Sequence, residues 1–226
     1  MLPKLQPTQN LYGQEVDSHI PAEVDGALRL LPEHREIWAK AKPHLGVRDN
    51  DSHTLYAYGI ARALCEAHPE ADPEVVLPAI LLHDTGWSQV PADLVLQAIS
   101  PSGGRPDLVA WHEREGVRIA AEILGEIGTP PETRDEITDI ISQHDSMKAA
   151  KSLNDALGKD ADKLWRLTPH GIDTVMDWFG LTREAAGRLC AWRVHDYLHS
   201  DVSRAMARGF GAIASVDAWS ERIELG

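Results

Sequence analysis

Positive charge is scarce in this chain: 22 Lys and Arg face 35 Asp and Glu, giving a formal net charge of -13 over 226 residues. That balance argues against general binding to a nucleic acid polymer or an anionic membrane surface, because such binding neutralises phosphates with Lys and Arg. An anionic ligand has to be held by a local site instead. Cysteine is scarcer still. Cys65 and Cys190 share no CxxC or zinc-finger spacing and sit in apolar helical patterns, so they read as reduced core thiols. No segment approaches the ~20 apolar residues of a membrane helix. The N-terminal MLPKLQPTQNLYGQEV has no run of signal-peptide length. A soluble, cytoplasmic protein is expected. Period-two alternation, internal repeats and low-complexity tracts are also absent.

What remains is helical signal. With 43% hydrophobic residues the chain can bury one core, and a single all-α domain over residues 1–226 is expected. Residues 1–30 are punctuated by Pro and Gly and read as irregular, within an N-terminal extension of about 45 residues. A helix is predicted over 33–41. Asp51 or Ser52 caps the next, which stops near His68-Pro69. Pro73-Glu74 opens the apolar helix VVLPAILL, closed by Thr85-Gly86, and its hydrophobicity on nearly all sides makes it central. SPSGGRPD at 101–108 reads as loop. EGVRIAAEILGEIG at 115–128 reads as an amphipathic helix, followed by a helix through ETRDEITDIISQHD that places Ile137, Ile141 and His144 on one face. Shorter helices are predicted over 162–167 and 172–179. Thr182 then caps a long helical C-terminal extension through Leu225, with breaks at Ser200-Asp201 and Gly209.

Several of these apolar faces are interrupted by metal-type donors near predicted helix ends. In AILLHDTGWS an apolar run stops on His83 and Asp84, a costly pair to bury unless both find a partner such as a divalent cation. His53, His112, His144 and Asp162 complete a set of four imidazoles and two carboxylates on five elements. One tetrahedral ion cannot use six donors, whereas two ions bridged by Asp84 can.

These residues, in DSHTLYAYGIARAL, LLHDTG, WHEREG, SQHDS and DADKL, resemble the HD-domain superfamily of metal-dependent phosphohydrolases over residues 50–170. The resemblance implies an all-α HD-domain bundle. It implies that His53, His83, Asp84 and Asp162 hold the first metal, with Asp160 the alternative if the alignment slips. His112, His144 and the shared Asp84 hold the second, the ions being divalent or mixed-valent Fe or Mn. A second pair, His195-Asp196 in RVHDYLHSD, lacks the preceding apolar helix and the Thr-Gly stop, so it reads as part of a polar helix face with His199. His19, His34, His44, His68 and His170 read as surface histidines.

On the substrate side, Lys148 lies four residues after His144 and Lys159 three before Asp162, each one helical turn from a donor, with Arg166 a third cation. Lys148, Lys159 and Asp84 are the catalytic candidates, and SPSGGRPD is a candidate lid. The family resemblance implies hydrolysis of a phosphomonoester or phosphodiester in a small phosphorylated metabolite or nucleotide. The same six-donor pattern also resembles the mixed-valent di-iron oxygenases of the inositol-oxygenase and phosphonate-cleaving type, which act on hydroxylated substrates. A non-catalytic ligand-binding module is a third reading. The expected partner is a small anionic substrate, with a homodimer left open.

Overall fold

A central helix with no polar face organises the protein. The computed structural model describes residues 30–101 and 104–218, and among them there are ten α-helices and no strand. They are α1 (Arg35–Ala41), α2 (Asn50–Ala67), α3 (Pro73–Leu82), α4 (Ala92–Ala98), α5 (Pro106–Glu126), α6 (Pro131–Ile141), α7 (Leu153–Leu164), α8 (Pro169–Phe179), α9 (Arg183–His195) and α10 (Asp201–Ala218).

Asp72 caps α3 by accepting from Glu74 N at 2.9 Å, and Pro73 supplies a preset φ at the first helical position. Every residue from Val75 to Leu82 is buried, so α3 is enclosed by α1, α2, α6 and α7 as its uniform hydrophobicity requires. Full burial of each large aliphatic contributes about 1.5–3 kcal/mol. The only polar residues continuous with this run are therefore His83 and those after it, at the exit from the core.

The C-terminal helices α8, α9 and α10 share a second apolar cluster around Ile172, Val175, Ala186, Cys190 and Val194. Thr168 and Thr182 cap α8 and α9 by accepting from Gly171 N and Ala185 N. This layer is tied to the core by Asp160, whose carboxylate is fully buried and accepts from His199 N at 2.8 Å and Ser200 N at 3.0 Å. Asp160 is thus an anchor for the turn between α9 and α10 and not an alternative metal donor. Cys65 and Cys190 are free, and burial pushes both thiols up to about 11.

Several boundaries differ from the sequence reading. Helix α2 starts at Asn50, one residue before the expected cap, with Asp49 in the left-handed region. Helix α5 begins at Pro106, so SPSGGRPD is only partly loop and His112 lies inside a helix. Helix α6 ends at Ile141, which leaves His144 in the turn beyond it. Helix α7 starts at Leu153, far upstream of the expected 162. The break at Ser200-Asp201 is present, whereas α10 runs unbroken through Gly209. Residues 1–29, 102–103 and 219–226 lie outside the described residues, and with them the expectation of an irregular N-terminal segment, His19, part of the candidate lid and the expected continuation of the last helix to Leu225. His34 is no surface histidine: it is 2% exposed, with Nδ1 2.8 Å from the Tyr58 hydroxyl.

Candidate metal centre

Two of the histidines occupy the same local position. His83 follows the last turn of α3 and His144 follows that of α6, where backbone carbonyls have no amide partner within the helix. His83 Nδ1 donates to Ile80 O at 2.7 Å and His144 Nδ1 to Ile141 O at 2.8 Å. A carbonyl only accepts, so each bond places the proton on Nδ1 and leaves the Nε2 lone pair facing inward. His53 comes from the first turn of α2, His112 from α5, and Asp162 from the last turn of α7.

The five elements bring these side chains to one buried point. Asp84 Oδ2 lies 3.4 Å from His53 Nε2 and 3.6 Å from His83 Nε2. Its other oxygen, Oδ1, lies 3.6 Å from His144 Nε2 and 4.0 Å from His112 Nε2. Asp162 Oδ1 adds to the first group at 3.3 Å from His53 and 3.8 Å from His83. The Nε2 atoms of His53 and His83 approach to 3.0 Å, and those of His112 and His144 to 3.3 Å. Facing lone pairs at such separations repel unless a cation or proton lies among them, so the donor chemistry fits metal. His53, His83 and Asp162 form one group able to hold an ion; His83, Asp84 and His144 form another; His112, His144 and Asp145 a third.

Aromatic rings and one glycine hold this geometry. Trp87 donates Nε1–H to Asp84 Oδ1 at 3.0 Å and stacks on His112 with centroids 3.8 Å apart. Trp165 meets His53 edge-on at 4.3 Å. Glu113, also buried, accepts from Asp145 N and Ser146 N, pinning the turn that carries His144 to α5. Gly86 brings the turn after Asp84 against α5 so closely that a Cβ there would lie 1.9 Å from His112 O.

Without metal, the carboxylates stabilise charge on part of this cluster. Burial opposes a charged His144, yet Asp145 and Asp84 outweigh it and raise its pKa to about 9. Burial, helped by repulsion from His144, drives His112 down to about 3. Asp84 and Asp162 are held well below the usual carboxylate range: burial opposes their charge, but His83 for Asp84 and Lys163 for Asp162 lead the groups that override it. The raised pKa of His144 gives stability fully present below its ordinary value of 6.5 and lost as pH rises through about 9. The lowered pKa of His112 removes stability as pH falls from 6.5 towards 3. Thermal melts of the metal-free protein should therefore peak near pH 6.5. Loading metal at pH 8 should displace the His144 proton, seen with an indicator dye in weak buffer. Melts that are flat with pH, together with no proton release, would count against this cluster.

All six sequence-predicted donors are brought together; the lysines divide. Lys148 is exposed, with Nζ 4.5 Å over the Tyr197 ring, and lines a cleft outside the donors. Lys159 is buried and committed to Asp155 at 2.9 Å and Ala149 O at 3.2 Å, so it braces the 149–155 turn and its ammonium is already occupied. The cations beside the donors are Lys163, whose Nζ reaches Asp162 Oδ2 at 2.6 Å and Asp145 Oδ1 at 2.8 Å, and Arg166, 3.7 Å from Asp162 Oδ1. The sequence reading missed Asp145, whose Oδ2 lies 3.7 Å from both His112 and His144 Nε2. Its adjacency to His144 was the available signal. Helix α9 ends at His195, which is exposed with Nδ1 2.9 Å from Asp196 Oδ1, so His195 and His199 do not share a helix face.

The chain matches the HD domain over residues 50–167, a span containing all six donors. Its fold is similar to the crystal structure of a predicted HD superfamily hydrolase from an uncultured Thermotogales bacterium, with a TM-score of 0.58 and 19% identity over 86% of this chain and 94% of that one. A comparison with curated proteins gives no match. A six-donor cluster on α2, α3, α5, α6 and α7, inside a family match that spans over half the sequence, makes this chain a member of the HD-domain family.

Proposed function

We propose that the protein is a metal-dependent phosphohydrolase acting on a phosphomonoester or phosphodiester of a small metabolite or nucleotide. The observation that carries this reading is Asp84, one carboxylate whose two oxygens face two separate histidine pairs beside a cationic cleft. His53, His83, Asp84 and Asp162 would hold one ion, and His112, His144 and Asp84 a second. Two divalent ions supply Lewis acidity, an activated water near neutral pH and charge for the phosphoryl oxygens.

The cleft supports an anionic substrate. Its volume is about 520 Å³, and Lys148, Lys163, Arg166 and Arg193 line it. Four cations on one surface contrast with a chain of net charge -13, and the volume falls in the ~300–1,000 Å³ range of small-molecule sites. Lys163 shares its charge between Asp145 and Asp162, which orients both carboxylates. Among the described residues Lys148 has no carboxylate partner, and in this reading it meets phosphoryl oxygens entering from solvent. Trp192 and Tyr197, from the C-terminal extension, give the cleft an aromatic wall.

Anaerobic protein loaded with manganese is expected to hydrolyse at least one member of a panel of nucleotides and phosphate esters, read as free phosphate from a monoester or as the monoester and alcohol from a diester, and a chelator should abolish the reaction. If every ester is inert, while iron-loaded protein gives a mixed-valent di-iron EPR signal and consumes dioxygen with a hydroxylated substrate, the chemistry is that of an oxygenase.

A further inference from the structure

Among the described residues, two buried nitrogen donors beside the metal donors, Arg48 Nε and Asn50 Nδ2, have no hydrogen-bond partner. Asn50 is 1% exposed. Both residues line one chamber, together with Asp84, Asp162 and Arg166. Buried donors are normally satisfied, so two of them on one wall require an acceptor that enters from elsewhere.

Two tryptophan rings flank the Arg48 guanidinium, and among the described residues its Nε–H finds no acceptor. Its guanidinium lies 4.6 Å from the Trp87 ring centroid and 5.0 Å from that of Trp178. Arg48 and Asp49 both have a φ of 57°, a left-handed conformation that is uncommon for non-glycine residues and most unusual here for Arg48. The residues on either side of Asp49 thereby line the same chamber.

Charge and size define what fits. Burial pushes the Arg48 pKa below its ordinary value, even with Asp84, Asp145 and Asp162 near enough to oppose the shift. Asp84 and Asp162 belong to the donor set, and Asp145 and Asp162 are bonded to Lys163, so their charge is already engaged. Arg48 is left as an undercompensated cation. The chamber has a volume of about 20 Å³, room for one or two water-sized groups at the ~10–15 Å³ each requires. Oxygens of a phosphoryl group fit there and a ring does not. Ile99, Asp145 and Arg166 border both this chamber and the outer cleft, so a ligand lying in the cleft can reach inward with its anionic end.

We infer that Arg48 and Asn50 form an oxyanion receptor that binds the phosphoryl end of the substrate, with the remainder of the molecule in the outer cleft. The inference rests on the phosphohydrolase reading for the identity of the anion.

The test is calorimetric titration of inorganic phosphate into manganese-loaded, full-length protein, with metal content measured in parallel. Wild type is expected to bind phosphate. Arg48→Met, which keeps the aliphatic packing between the tryptophans, should weaken binding by about 10- to 100-fold, the span of hydrogen bonds to charged groups. Asn50→Ala should weaken it severalfold, and both variants should keep wild-type metal content. Should Arg48→Met fail to hold metal, Asn50→Ala decides alone. Phosphate affinity at the wild-type level in variants that retain metal, or a loaded wild type that binds no phosphate, overturns the receptor. Phosphate binding needs no turnover, so a wild type that binds phosphate through these residues yet hydrolyses no ester keeps the receptor and loses only the hydrolase reading.

Discussion

Asp84→Ala is expected to release metal from both halves of the centre and to abolish turnover, while His195→Ala changes neither. Oδ2 of Asp84 faces His53 and His83, and Oδ1 faces His144 and His112, so among the described residues no other single side chain addresses all four imidazoles. Loss of an outer hydrogen-bond partner of a metal ligand costs about 10- to 100-fold in affinity. Removing a carboxylate common to both donor groups should exceed that. The substitution also strands Trp87 Nε1–H, which donates to Asp84 Oδ1 at 3.0 Å, and an orphaned buried donor costs about 1–3 kcal/mol. The metal-free variant should therefore melt below metal-free wild type as well. His195 belongs to the other His-Asp doublet, is exposed, and lies 2.9 Å from its neighbour Asp196, away from the six donors. Elemental analysis of the two variants beside wild type reads the result, and equal metal loss from both would mean that the wrong doublet had been identified.

The donors were legible because each breaks a pattern. His83 and Asp84 end a wholly apolar helix, and imidazoles in apolar surroundings stand out in any sequence. Their placement was less legible. SPSGGRPD has loop composition, yet Pro106 is a favourable first helical residue and α5 runs from it through WHEREG, which moved His112 from a helix entrance to a helix interior. Helical spacing put His144 on a helix face; the helix ends at Ile141, and the carbonyl this ending frees is the one that orients His144.

The supporting residues could not be read from local pattern at all. Lys159 and Lys163 lie on the same helix four residues apart, and only the fold turns one to Asp155 and the other to Asp145 and Asp162. Asp160 and Asp162 are both buried, yet one anchors the α9–α10 turn and the other faces His53. Arg48 gains meaning only from Trp87 and Trp178, which lie 39 and 130 positions further along the chain. Sequence spacing identifies what one element can present, and says little about which distant element meets it.

Gly86 illustrates this most sharply, and Gly86→Ala carries the second large expectation. In the sequence it reads as a helix stop, but its backbone φ is not in the left-handed region, and its importance is spatial. An added Cβ would lie 1.9 Å from His112 O and 2.5 Å from Gly116 N, both backbone atoms of α5. No rotamer change relieves a clash with backbone, so α5 must move, and His112 moves with it. Overpacking of a core costs about 1–3 kcal/mol. With rigid backbone on the opposing side the upper figure applies, a fall of roughly 6–12 °C in Tm for a chain of this size. Metal should divide unequally: ligation by His53, His83 and Asp162 does not depend on α5, whereas the second position loses His112. If the wild type holds two ions as proposed, Gly86→Ala is thus expected to retain about one. Gly125→Ala on the same helix is the control. Nothing lies within 4 Å of its added Cβ, so the better helix former should leave stability unchanged or raise it by up to ~1 kcal/mol. Thermal melts and elemental analysis of both variants are decisive, because wild-type stability and full metal content in Gly86→Ala would mean that the turn after Asp84 does not pack against α5 in this way.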